Sequence, residues 1–180
     1  FTELDNGFDF YAPQAFTHAN RTILIGWAGL PEQEADYPTS KNGWLHSLTL
    51  PRQLKYKNDH LYQTPIIELE KLRQASFKYN SKADNFVCKL PRVCEIHFTL
   101  PPDCFENFLI ILSFGKEQIR LSYNEGSNEI CIDRNNMLLG GRGTRYIPIN
   151  KHDNLNFTLF IDKSIMEMYS QNGFTAATWV

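Results

Sequence analysis

Asp9, Tyr11 and Trp27 are the side chains of this 180-residue chain best placed, by type and spacing, to do chemistry. Asp9 and Tyr11 lie in Phe8-Asp9-Phe10-Tyr11-Ala12-Pro13-Gln14, preceded by Leu4-Asp5-Asn6-Gly7. Alternate residues of an extended strand share a face, so Asp9 and Tyr11 point one way and Phe8 and Phe10 the other. A carboxylate accepts hydrogen bonds and a phenol both donates and accepts them, so the first face can line a polar pocket while the second packs. The same alternation suits an edge strand in which Asp9 holds a turn backbone and Tyr11 meets water. Trp27 closes Ile23-Leu24-Ile25-Gly26-Trp27, where its indole can stack on a ligand or join the core.

Other chemistries find little support. His18, His46, His60, His97 and His152 are scattered, and none has the spacing of a metal pair on a helix. Cys88, Cys94, Cys104 and Cys131 form no Cys-x-x-Cys pair, and Cys94 and Cys131 sit in apolar stretches as small hydrophobes. Gly140-Gly141-Arg142-Gly143 lacks the Lys-Ser/Thr ending of a phosphate-cradling loop and reads as a loop between strands. No Gly-x-Ser-x-Gly elbow occurs. No metal or other cofactor is expected. The net charge of -2, without a Lys/Arg stripe, argues against a nucleic-acid partner. No apolar run reaches the length of a membrane-spanning helix, so no membrane partner is expected.

The elements that must position these residues read as strands. Residues 22–27 form one, 45–50 another that Pro51 interrupts, and 54–62 a hairpin turning at Asn58-Asp59. Residues 8–63 thus offer one propeller blade's worth of short antiparallel strands. Thr64-Pro65 opens a short helix, with Thr64 as cap and Ile66, Leu69 and Leu72 as its apolar stripe. Beyond Phe77 the pattern is strand throughout. Ile96, Phe98 and Leu100 alternate before a break at Pro101-Pro102-Asp103. Residues 108–114 form an apolar run suited to a strand buried on both faces. Ile119, Leu121 and Tyr123 alternate, as do Leu155, Phe157, Leu159 and Ile161. Gln171-Asn172-Gly173 marks a hairpin between 165–170 and 174–180. Turns at this spacing suit a sandwich.

Three blocks carry a resemblance. Leu4-Asp5-Asn6-Gly7-Phe8-Asp9-Phe10-Tyr11-Ala12-Pro13-Gln14, then Ile23-Leu24-Ile25-Gly26-Trp27, then Leu48-Thr49-Leu50-Pro51-Arg52 resemble the β-fructofuranosidases of glycoside hydrolase family 32, the bacterial sucrose-6-phosphate hydrolases and invertases. The likeness runs on through Leu159-Phe160-Ile161-Asp162-Lys163-Ser164 and Glu167 to Asn172-Gly173. It implies an all-β chain: the last blade of a five-bladed β-propeller over residues 1–63, a linker helix over 64–75 and a C-terminal antiparallel β-sandwich over 76–180. Phe1, not Met, stands first and opens within the family pattern, so a piece of a longer protein is expected. A bacterial cytoplasmic location is expected by resemblance, with secretion left open.

A retaining glycosidase needs two carboxyl groups about 5–5.5 Å apart, one nucleophile and one acid/base. In the family these lie in Asn-Asp-Pro and Glu-Cys-Pro blocks, with a stabilising Asp in Arg-Asp-Pro. None of the three occurs here, and Cys94-Glu95 has the wrong order. No catalytic residue is therefore expected in this chain. The resemblance places Tyr11 near the fructose subsite, where its phenol can orient the nucleophilic carboxylate or bind a sugar hydroxyl. Asp9 and Trp27 are the other candidate substrate-binding residues. The expected partners are sucrose or another fructose-containing sugar, the missing propeller blades and a second copy of the chain. Two other readings compete: a fructan-binding sandwich, and a structural or dimerisation domain.

Overall fold

The computed structural model describes residues 2–78, 86–101, 104, 108–124, 126–138, 140–150 and 153–180. Pro102, Asp103 and His152 lie outside the described residues. The first unit is a sheet of β1 (Tyr11–His18), β2 (Arg21–Ala28), β3 (Ser47–Leu48), β4 (Arg52–Lys57) and β5 (His60–Pro65). Its order is β1-β2-β4-β5, all neighbours antiparallel, with β3 on the end of β2. The β4–β5 turn falls where the sequence puts it, with Asn58 and Asp59 both left-handed at φ 52° and 56°. That pair suits a two-residue hairpin loop matched to the strand twist.

Three readings of this unit need correction. Residues 8–10 are not strand: β1 begins at Tyr11, and a bulge follows it, where Tyr11 pairs with Trp27 but Gln14 with Ile25. The strand over 45–50 shrinks to Ser47–Leu48, since His46 takes a positive φ and Pro51 follows. Thr64 and Pro65 end β5 rather than open a helix, and the linker is a 3-10 segment over Ile67–Leu72. Arginines tie the linker at both ends. Arg21 of β2 holds Glu68 at 2.6 Å, and Arg73 grips Glu95 with paired bonds of 2.6 and 2.7 Å.

The second unit stacks two four-stranded antiparallel sheets. One runs β13-β12-β11-β6 and the other β10-β9-β8-β7. The strands are β6 (Val93–Leu100), β7 (Leu109–Phe114), β8 (Glu117–Asn124), β9 (Glu129–Asp133), β10 (Thr144–Pro148), β11 (Leu155–Asp162), β12 (Ile165–Ser170) and β13 (Thr175–Trp179). Leu155, Phe157, Leu159 and Ile161 all face the core, as their alternation requires, and meet Leu121, Ile130, Ile132 and Trp179. The run over 108–114 is not buried on both faces. β7 is the last strand of its sheet, and Leu109 and Ile111 face outward, 56% and 44% exposed.

The strands buried on both faces are instead β12 and β13. Met166 and Met168 point into the sandwich core. Glu167 and Tyr169, one position out of phase, point the other way and are covered by the blade. The hairpin tip also meets β5: the Gln63 amide donates to the Gly173 carbonyl at 2.8 Å, and His60 stacks on Phe174 at 4.0 Å.

Candidate functional site

The chain's first residues join its last strand. The Asn6 amide donates to the Ala176 carbonyl, and the Phe8 and Asp9 amides both donate to the Thr178 carbonyl, at 2.8 to 3.1 Å. Such close approach needs a residue without Cβ: one built on Gly7 would lie 2.0 Å from the Thr178 carbonyl oxygen. Segment 5–9 is therefore pinned between blade and sandwich, and two buried arginines fix it there.

Arg52, the first residue of β4, is fully buried. Its guanidinium has five N–H donors, and each finds an acceptor: Asp5 at 2.9 Å, Gln63 at 3.1 Å, Glu167 at 2.9 Å, the Thr178 hydroxyl at 2.6 Å and the Tyr169 hydroxyl at 3.1 Å. The Phe10 and Tyr169 rings flank it, with centroids 4.9 and 5.3 Å away. Burial disfavours the Arg52 charge, but Tyr169, Asp5 and Glu167 outweigh it and lift its pKa above the ordinary value. Burial pushes the Glu167 carboxyl up, while Arg52 and the Leu50 amide pull it back.

The second node is Asp9, which no solvent reaches. One carboxylate oxygen accepts from the Tyr37 hydroxyl at 3.0 Å. The other accepts from Arg134 at 3.2 Å and from the Val180 amide at 2.9 Å. Burial, then the neighbouring Asp9 charge, raise the Tyr37 phenol above its ordinary range. Burial also lowers the pKa of Arg134 against the pull of Asp9.

Asp9 and Tyr11 do not share a face. Asp9 points into the blade–sandwich junction, whereas Tyr11 is 49% exposed on β1, the edge strand of the blade. The bulge beside Tyr11 and the irregular backbone of 8–10 break the strand alternation on which the shared face rested. Tyr11 is brought together with Trp27 instead. Their rings meet edge-on at 5.8 Å, His46 packs edge-on against Trp27 at 4.6 Å, and Tyr37 backs His46 at 5.2 Å. The outcome is an open aromatic wall, Tyr11 and Trp27, above a buried polar base, Asp9 and Tyr37. A phenol beside an indole can hold a hydroxyl-rich ligand by one hydrogen bond and one flat apolar face.

Both halves of the chain match known domain families. Residues 1–65 match the glycosyl hydrolases family 32 N-terminal domain, and residues 68–180 match the glycosyl hydrolases family 32 C-terminal domain. The chain belongs to glycoside hydrolase family 32. The sucrose-6-phosphate hydrolase of Staphylococcus xylosus is 34% identical over 187 residues, which cover 96% of this chain and 36% of that protein. The Salmonella typhimurium sucrose-6-phosphate hydrolase is 51% identical over 73 residues, 39% of this chain and 16% of its own length. Among solved structures, the sucrose-6-phosphate hydrolase of Lactobacillus gasseri superposes with a TM-score of 0.80 at 26% identity, over 98% of this chain and 37% of that one. The Bombyx mori β-fructofuranosidase superposes with a TM-score of 0.83 over 99% of this chain and 37% of its own, and at 21% identity shows the fold alone. This chain thus spans about a third of the length of the sucrose-6-phosphate hydrolases it matches end to end. The two units are a propeller blade and the β-sandwich of the family.

Within that frame the remaining sequence candidates find structural places. Glu95 is held by Arg73 and lies 2.8 Å from His97, and the Arg73 bond lowers its pKa, the opposite of what a general acid requires. Lys163, in the turn of Asp162-Lys163-Ser164, donates its amide to the Arg92 carbonyl at 3.0 Å. The four cysteines are free thiols, Cys88 and Cys104 exposed and Cys94 and Cys131 half-buried. Among the described residues no His, Cys, Asp and Glu cluster has metal-holding geometry. Sequence reasoning missed Arg52, Glu167, Tyr37 and Arg134 as junction residues. One signal was available: a lone Glu167 inside Ile165-Met166-Glu167-Met168-Tyr169, because charged residues in apolar strands are rarely buried unpaired.

Proposed function

We propose that this chain supplies the last propeller blade and the sandwich of a retaining β-fructofuranosidase that hydrolyses sucrose or sucrose 6-phosphate. The observation that carries the reading is the pairing of Tyr11, exposed on edge strand β1, with Trp27 of the neighbouring β2, in a blade whose sequence aligns with sucrose-6-phosphate hydrolases. Tyr11 and Trp27 form one wall of the fructose pocket, with the phenol hydrogen-bonded to the nucleophilic carboxylate or to a sugar hydroxyl. The nucleophile and the acid/base come from other blades, since their sequence blocks do not occur in this chain. Asp9 serves the wall from beneath and does not touch sugar: its carboxylate is fully buried and accepts from Tyr37, Arg134 and Val180.

The test compares two proteins. The purified 180-residue chain is expected to release no fructose from sucrose or from sucrose 6-phosphate. The longer protein that carries it is expected to hydrolyse one or both, and Tyr11→Phe to slow it. Hydrolysis by the chain alone, abolished by Tyr11→Phe, overturns the reading.

A further inference from the structure

We infer that Arg134, a sandwich residue, is a positioning residue for the Tyr11–Trp27 wall, an inference that rests on the function proposed above. Arg134 follows β9, and the glycine-rich loop after it wraps the guanidinium. The Arg134 amide donates to the Gly143 carbonyl at 2.9 Å. Gly140, at φ +77°, lies so close that a Cβ there would sit 2.4 Å from an Arg134 nitrogen. The guanidinium donates to the Val180 carbonyl at 2.7 Å and to Asp9 at 3.2 Å, with the Phe8 ring centroid 4.9 Å from its central carbon. Gly140-Gly141-Arg142-Gly143, which resembles a phosphate loop in sequence, is therefore the cover of a buried ion pair.

From Asp9 the contacts run outward. Its other oxygen accepts a hydrogen bond from the Tyr37 hydroxyl, and the same Tyr37 oxygen accepts from the Leu30 amide at 2.7 Å, so the hydroxyl fixes both carboxylate and loop. The Tyr37 ring backs His46, and His46 backs Trp27. Arg134 touches neither Tyr11 nor Trp27. Without its charge, Asp9 is a buried carboxylate lacking its cation, a costly state relieved by rotating the group or admitting water. Either response releases Tyr37, and the aromatic stack loses its backing.

The experiment uses the longer protein that carries this chain, with three variants: Arg134→Met, Tyr37→Phe and the double variant Arg134→Met/Asp9→Asn. The readouts are KM and kcat for whichever of sucrose and sucrose 6-phosphate the unmodified protein hydrolyses, and the Trp27 indole N–H resonance, assigned with Trp27→Phe. Arg134→Met is expected to raise KM about ten-fold with kcat within about three-fold, the pattern of lost ground-state binding. Tyr37→Phe is expected to move KM and the resonance in the same direction, and it serves alone if Arg134→Met does not fold. The double variant is expected to restore both in part, because the carboxamide oxygen that Asp9→Asn introduces still accepts from Tyr37 and no charge is stranded, while the acceptor for the Val180 amide is lost. A fall in melting temperature with KM and the resonance unmoved, or no recovery in the double variant, overturns the inference. Absence of hydrolysis of both sucrose and sucrose 6-phosphate by the unmodified protein overturns the proposed function instead, and the resonance then still decides the positioning role.

Discussion

Arg52→Met is the most informative perturbation of the junction. It replaces the guanidinium by a shorter, uncharged thioether and leaves Asp5 and Glu167 without their cation, with side chains 0% and 3% exposed. Each keeps some donors. Asp5 still accepts from the Gly7 amide and from Thr178, and Glu167 from the Leu50 amide and the Tyr169 hydroxyl. Breaking a buried pair by removing one partner costs about 3–5 kcal/mol, and we take about 4 kcal/mol for Arg52→Met. For a chain of this size that corresponds to a fall of roughly 8–16 °C in melting temperature.

The loss should depend on pH with a definite sign. Burial already places the Glu167 carboxyl above its ordinary value of 4.5, and Arg52 is the strongest influence pulling it down. Deleting Arg52 raises it further. The folded variant then binds a proton more tightly than its unfolded chain does. Between the unfolded and folded pKa values its stability falls as pH rises, and it is greatest in acid. Thermal or urea melts at pH 5 and pH 8 measure this directly. The deficit should be smaller at pH 5, and Arg52→Met/Glu167→Gln should be more stable than Arg52→Met at pH 8. A deficit below about 1 kcal/mol, or one equal at both pH values, would refute the argument that these charges are buried and mutually dependent.

Three further outcomes are expected. Gly7→Ala puts a methyl group 2.0 Å from the Thr178 carbonyl oxygen and should cost at least the roughly 1–3 kcal/mol of ordinary overpacking, read from urea melts. Arg73→Ala removes an exposed grip on Glu95, so it should cost less than about 1 kcal/mol at neutral pH. Arg73 holds the folded pKa of Glu95 below 4.5, so that stabilisation is present above pH 4.5 and is lost as pH falls; variant and parent melts should converge in acid. Tyr11→Phe removes one exposed hydroxyl and should shift stability by no more than about 0.5 kcal/mol, while the function proposed above requires that turnover of sucrose or sucrose 6-phosphate by the longer protein fall.

What was legible in the sequence was local. Asn58-Asp59 and Gln171-Asn172-Gly173 announce their hairpins because left-handed backbone selects those residues within a few positions. The alternation of β11 reports a face because one side of it meets a core. The junction was not legible, since its partners are far apart in the chain: Arg134 bonds Asp9 from 125 positions away and the Val180 amide bonds it from 171. Periodicity cannot tell a carboxylate facing water from one facing a guanidinium supplied by another unit. β7 misled for a related reason. Its composition is that of a central strand, but its place at the sheet edge is set by topology, which no window of residues contains. β10 escaped notice because Thr144–Pro148 turns a single fully buried residue, Ile147, into the core.

The junction's chemistry bears on why blade and sandwich belong to one protein. An apolar contact between two sheets gains most of its free energy from area and is indifferent to small slides. A buried guanidinium is not, because each N–H must meet an acceptor within hydrogen-bond distance or leave it desolvated. Two such groups, one sent from the blade into the sandwich and one returned, fix translation and rotation together. Arg52 reaches Glu167, Tyr169 and Thr178 on β12 and β13, and Arg134 reaches back to Asp9. Between them runs segment 5–9, hydrogen-bonded along β13 and leading directly into Tyr11. The residue with the best claim to a role in sugar binding thus begins its strand two positions beyond the carboxylate that the sandwich holds, which makes the sandwich part of the scaffold of the wall.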